Sequence, residues 1–131
     1  MAYTIMIVDD SETIRGVLVR SFAMTKLPID SIIKAANGKD AIDKLKSFWI
    51  DIVFTDIHMP EMDGITLIEE MRADAEYRDI PVVVVSTEGS AIRISELQRK
   101  GVKGFLRKPF TPEKLRDIVI ETLGSWEPLQ P

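Results

Sequence analysis

The chain opens on an apolar run that stops at two acids, Ile5-Met6-Ile7-Val8-Asp9-Asp10. A short β-branched run of this kind, bounded by polar residues, reads as a buried strand. Adjacent carboxylates at its end repel each other and call for a positive partner nearby. Similar runs recur at Ile32 to Ala36, Ile52 to Thr55 and Val82 to Val85, with a weaker one at Phe105 and Leu106. Between them the apolar residues fall at helical spacing: Ile14, Val17, Leu18 and Phe22; then Ala41, Ile42 and Leu45; then Leu67, Ile68 and Met71. Ile94 and Leu97, and finally Leu115, Ile118, Val119 and Leu123, continue the pattern, one apolar face per helix. Asn37-Gly38 precedes the second helix and Gly101 follows the fourth; Thr111-Pro112-Glu113 gives the fifth an N-cap, a first-turn proline and an acidic first turn. The alternation predicts an α/β fold, a five-stranded parallel sheet with helices on both faces. Residues 1–123 read as one domain and 124–131 as a polar C-terminal tail. Thr25 to Asp30 and Glu76 to Ile80 read as surface loops.

Composition excludes several functions. The 131 residues are 45% hydrophobic, enough for one domain with a real core. There is no cysteine, so neither a disulfide framework nor a thiolate metal site is available, and a reducing cytoplasmic compartment fits. Lys plus Arg number 17 against 21 Asp plus Glu, a net charge of −4 with no basic run, which argues against a nucleic-acid partner. No cleavable targeting segment opens the chain, and no apolar run approaches the ~20 residues that span a bilayer, so a soluble protein without a membrane partner is expected.

Open parallel sheets bind ligands beyond the carboxyl ends of their strands, so those ends are read together. They carry Asp9-Asp10, Asp56, Ser86-Thr87 and Lys108-Pro109. Carboxylates gathered on one rim raise one another's pKa values unless a hard cation neutralises them. Mg²⁺ suits such a set, because it takes oxygen ligands and keeps waters that a phosphoryl oxygen can replace. A carboxylate can also attack phosphorus and become an aspartyl phosphate. Asp56, directly after a buried strand, is the candidate nucleophile. Lys108 would neutralise the phosphoryl oxygens and Ser86 would donate a hydrogen bond to them.

The set Asp9-Asp10, Asp56, Met59-Pro60, Asp63-Gly64, Ser86 and Lys108-Pro109-Phe110 resembles the receiver domain of two-component response regulators, over roughly Tyr3 to Leu123. Each motif alone is common; their order and spacing at strand ends are specific. The resemblance implies a doubly wound, flavodoxin- and CheY-like (βα)5 sheet of order 2-1-3-4-5, an order this family itself exemplifies. It implies that Asp56 accepts a phosphoryl group from a sensor histidine kinase or a phosphotransfer protein. Asp10 and Asp56 would bind Mg²⁺, for which Mn²⁺ can substitute, through side-chain oxygens, Asp9 through a water and His58 through its backbone carbonyl. Ser86 and Phe105 would move in the switch, and the fourth helix, fifth strand and fifth helix would present a changed face to a downstream protein. A phosphatase is a further implied partner, and Lys108-Pro109 would carry a cis peptide. The chain departs from the common pattern at Thr87, which narrows access to the phosphoryl group, at Phe105, which lacks a hydroxyl, and at Ile57, where some relatives have tryptophan. His58, Thr87 and Glu88 would flank the attacking water and tune the phosphoryl lifetime.

Structural roles compete with these. Asp10 alone reads as the N-cap of the first helix, Asp56 as a turn residue, Lys108 as a solvated lysine and Phe105 as core. Gly64 serves the backbone at the start of the third helix, and Met59 and Met62 pack the loop before it. His58 is the only histidine and has no neighbours spaced for a transition-metal site. A phosphohydrolase of the haloacid dehalogenase type would place a second aspartate where His58 stands. A flavodoxin-type electron carrier would need glycine and hydroxyls where Asp9-Asp10 would repel its phosphate. An interaction module that had lost its chemistry would lack one of Asp10, Asp56 and Lys108. The expected protein is therefore a phosphorylation-switched signalling domain and not an enzyme, catalysing only the phosphorylation and dephosphorylation of its own aspartate. It is expected to act as a single domain, since only the short tail follows the last helix. Chemotaxis or motility is the favoured process; a phosphorelay carrier comes next, and a Mg²⁺-dependent phosphohydrolase after that.

Overall fold

A computed structural model describes residues 2–59, 61–87 and 90–123. Among the described residues five strands, β1 (Tyr3–Val8), β2 (Ile29–Ala35), β3 (Ile52–Thr55), β4 (Val82–Ser86) and β5 (Gly104–Arg107), alternate with helices. The helices are α1 (Glu12–Thr25), α2 (Gly38–Ser47), α3 (Gly64–Ala73), α4 (Ala91–Arg99) and α5 (Pro112–Leu123). All strand pairs are parallel, in the order β2-β1-β3-β4-β5. This is the doubly wound sheet expected.

Successive side chains of a strand point to opposite faces, and this period splits the core in two. Met6, Val8, Val53, Val82 and Val84 pack under Ala41, Leu45, Leu67, Ile68, Met71 and Leu97 of α2, α3 and α4. Ile5, Ile7, Ile52, Phe54, Val83 and Val85 pack under Leu18, Phe22, Leu115 and Val119 of α1 and α5. There the ring of Phe22 meets Phe54 edge-on, with centroids 5.1 Å apart and an interplanar angle of 77°. Covered on both faces, β3 and β4 are buried along their whole length.

Each helix starts on a side-chain oxygen that accepts an amide two or three residues into its first turn. Ser11 accepts from Ile14, Asn37 from Asp40, Asp63 from Thr66, Ser90 from Arg93 and Thr111 from Lys114. Ser11, not Asp10, caps α1, so the Asp10 carboxylate does not spend itself on the helix.

The segment Thr25 to Asp30 departs from its expected surface-loop character. Thr25 closes α1 and is only 4% exposed, its hydroxyl donating to the Phe22 carbonyl at 2.6 Å, and Leu27 is buried behind it. Ile29 and Asp30 already belong to β2. As an edge strand β2 leaves Asp30 and Lys34 exposed, and these charges interrupt the apolar run that would have marked its start. Glu88 and the tail 124–131 lie outside the described residues. No helix among the described residues is long and apolar enough to cross a membrane.

Candidate functional site

Register brings the acids together. Val8 of β1 lies opposite Thr55 of β3, so the next residues, Asp9 and Asp56, leave the sheet side by side. Their amides donate to Ala35 and Val8 carbonyls at 3.1 and 3.0 Å, which fixes both backbones. One carboxylate oxygen from each of Asp9, Asp10 and Asp56 lies within 4.8 Å of the other two. From the end of β5, the Lys108 ammonium stands 3.7 Å from Asp9 Oδ2 and 4.0 Å from Asp56 Oδ2. The Lys108 amide donates to the Ser86 carbonyl at 2.9 Å, tying the buried end of β4 to this lysine, and the Lys108-Pro109 peptide is cis. Asp56 Oδ1 accepts from the Ile57 amide at 2.7 Å, while Oδ2 faces Lys108.

Electrostatically the cluster is under-neutralised. Burial pushes the Asp9 carboxyl above its ordinary value; the Ser11 amide and Lys108 pull it back, Asp56 and Asp10 push it up further, and the net direction is upward. An all-oxygen donor set in which the buried Asp9 carboxyl is pushed upward fits a hard divalent cation, which would reverse that penalty.

A prediction follows for Asp9→Asn, which keeps the Oδ1 acceptor for the Ser11 amide, 2.9 Å away, but removes the charge. A carboxyl whose folded pKa is raised opposes folding once the pH exceeds that pKa, and has no such effect below its unfolded pKa. Without divalent cation, the variant should therefore be more stable than the parent at pH 7, and this advantage should vanish well below the ordinary value of 3.8. With saturating Mg²⁺ the parent should gain more stability than the variant. Urea denaturation with EDTA or Mg²⁺ at both pH values reads this out; a parent more stable than Asp9→Asn in EDTA at pH 7 would refute it.

The remaining candidates are spread around this centre. His58 and Thr87 are exposed, and Ile57 is buried in the core at 1% exposure. Phe105 pairs with Val84 in the sheet and is partly buried against the core under α2, α3 and α4. Glu88 lies outside the described residues. Two further residues shape the site, of which the sequence marked Gly64 as a backbone residue and gave no sign of Arg15. Arg15, on the first turns of α1, donates its guanidinium to the Asp9 backbone carbonyl. Gly64 packs so closely on Asp56 that an added Cβ would lie 2.1 Å from the Asp56 carbonyl oxygen. Arg15 could be placed on α1 from its spacing, but nothing local indicates that its partner is a carbonyl.

Three acids and a lysine on the carboxyl rim of a doubly wound sheet are the arrangement of a family of phosphorylation-switched signalling domains, a family to which the sequence match assigns this chain. A family model described as the response regulator receiver domain matches residues 5–120, and the chain belongs to that family. It is 34% identical over 122 residues to a chemotaxis protein CheY homolog of Campylobacter jejuni, covering 92% of each chain. Vibrio cholerae CheY4 superposes with a TM-score of 0.84 at 28% identity, covering 94% of this chain and all of that one. The CheX-CheY-BeF3-Mg²⁺ complex from Borrelia burgdorferi gives a TM-score of 0.82 at 30% identity, with coverage of 94% and 90%.

Proposed function

We propose that this chain is a single-domain response regulator whose Asp56 accepts a phosphoryl group from a sensor histidine kinase or phosphotransfer protein. The observation that carries the reading is the placement of Lys108 between Asp9 and Asp56, beside three converging carboxylates. In the transfer, an Asp56 oxygen forms a bond to phosphorus as the bond from phosphorus to the donor imidazole breaks, its electron pair returning to nitrogen. Asp10 and Asp56, with the His58 carbonyl and Asp9 through a water, would hold Mg²⁺, which when bound neutralises phosphoryl oxygens. Lys108 neutralises the same oxygens from the other side and Ser86 donates a hydrogen bond to them. His58, Thr87 and Glu88 tune the water attack that ends the signal.

The phosphorylated state then changes affinity for a downstream protein at the face formed by α4, β5 and α5, with Phe105 repacking without a hydroxyl. The CheY relatives support chemotaxis or motility as the process. The Borrelia CheY, captured with CheX and beryllofluoride, supports a partner that reads the phosphorylated state, a phosphatase among them. The cytoplasm is the expected compartment, and 1–123 the functional unit.

Incubation with acetyl phosphate tests the reading. Mass increase should require Mg²⁺ or Mn²⁺ and vanish with EDTA, and borohydride trapping should place the label on Asp56. Label without metal, or elsewhere, would overturn it. Lys108→Ala should leave Mg²⁺ affinity within about threefold, a change below ~1 kcal/mol, while weakening the dependence of partner capture on beryllofluoride. Undiminished dependence would overturn the role of Lys108 in passing phosphorylation on to the partner.

A further inference from the structure

The turn between β2 and α2 supplies none of the acids, yet it grips the segment that leads from Asp56 to α3. Gly38, buried at the start of α2, donates its amide to the Met62 carbonyl at 2.9 Å. A Cβ built on Gly38 would lie 2.7 Å from that oxygen and 2.7 Å from Met62 Cγ. Its φ lies outside the left-handed region, so the position needs glycine for space.

The turn is rigid. Asn37 Oδ1 accepts the Asp40 amide at 2.8 Å, and Asp40 Oδ2 accepts the Ala36 amide at 3.0 Å and the Lys44 ammonium at 3.2 Å. At its other end the gripped segment is held by the Gly64 amide, which donates to the Ile57 carbonyl at 2.8 Å. Between these anchors Glu61 has a φ of 64°, a left-handed conformation that a Cβ disfavours and that persists where the surroundings enforce it.

We propose that Gly38 is a positioning residue of the phosphorylation site: its contact with Met62 sets where Glu61 to Asp63 lie and, through the bond from the Gly64 amide to the Ile57 carbonyl, the backbone beside Asp56. The inference rests on the functional reading above. It makes the Asn37-Gly38 pair more than a helix start. Coupling is reciprocal, so if the latch raises affinity for the ion, ion binding must tighten the latch.

The test is Gly38→Ala. Alanine is the better helix former, so a purely local role for Gly38 predicts equal or greater stability and an unaltered site. The latch predicts instead that the folded variant, checked by circular dichroism, binds Mg²⁺ about tenfold more weakly. It should also take phosphate from acetyl phosphate about tenfold more slowly at saturating Mg²⁺, as displacement of a reacting group by a fraction of an ångström would produce. In the unaltered protein, amide exchange at Gly38 followed by NMR should slow when Mg²⁺ and beryllofluoride are added, a measurement that stands even if the variant does not fold. Binding and phosphorylation within twofold of the parent, or Gly38 exchange indifferent to the ions, would overturn the inference alone. A parent that binds no Mg²⁺ would overturn the functional reading and this inference together.

Discussion

Asp56→Asn should lower phosphorylation from acetyl phosphate by at least ~10³-fold, as loss of a nucleophile does where the rest of a site remains. The amide oxygen that replaces the carboxylate carries no charge and does not displace a leaving group from phosphorus at a useful rate. The fold should be untouched. Asparagine keeps an Oδ1 that can accept the Ile57 amide, now 2.7 Å from Asp56 Oδ1, and the backbone bond from residue 56 to the Val8 carbonyl does not involve the side chain. Removing one of three charges packed within 4.8 Å should also cut Mg²⁺ affinity more than tenfold. Intact-mass measurement and Mg²⁺ titration read both effects. Phosphate that persists on the Asn variant would mean that a neighbouring acid, Asp9 or Asp10, is the acceptor.

Gly64→Ala should produce the second large effect, on stability and chemistry together. The added methyl would meet the Asp56 carbonyl oxygen at 2.1 Å, and the Asp56 carbonyl carbon and Ile57 Cα at 3.0 Å. All three are backbone atoms, anchored by the Asp56 amide on β1 and by the Gly64 amide on Ile57, so no flexible side chain can give way. Overpacking of this kind costs about 1–3 kcal/mol, against the gain of up to ~1 kcal/mol that alanine brings to a helix. Relief requires α3 to lift from the site, or Asp56 to shift. Either movement should slow phosphorylation by on the order of 10²-fold in protein that is still folded. Urea denaturation gives the first quantity and acetyl phosphate kinetics the second. An alanine variant as stable as the parent, phosphorylated at the same rate, would show that the contact is easily relaxed.

The elements legible in the chain were those whose environment is uniform along their length. The bounds of β3, Ile52 to Thr55, are legible because the strand is covered on both faces, so every residue in it is under the same pressure to be apolar or small. The start of β2 escaped because an edge strand answers to one neighbour and to solvent, and Asp30 satisfies solvent. The capping of α1 escaped because Asp10 and Ser11 are both good caps, and the choice depends on where the chain leaves β1. Periodicity and turn chemistry are local, so the sequence already specified the alternation of strands and helices. It also specified that acids, a serine and a lysine stand where apolar runs end, and hence on one rim of a parallel sheet. The distances on that rim are another matter. That Lys108 reaches Asp9 and Asp56, that burial pushes the Asp9 carboxyl upward, that Arg15 holds a carbonyl, and that Gly38 and Gly64 leave no room for a methyl all depend on packing between segments far apart in the chain. Such contacts leave no local pattern, because each is set by the fit of two surfaces that meet only once the sheet has formed.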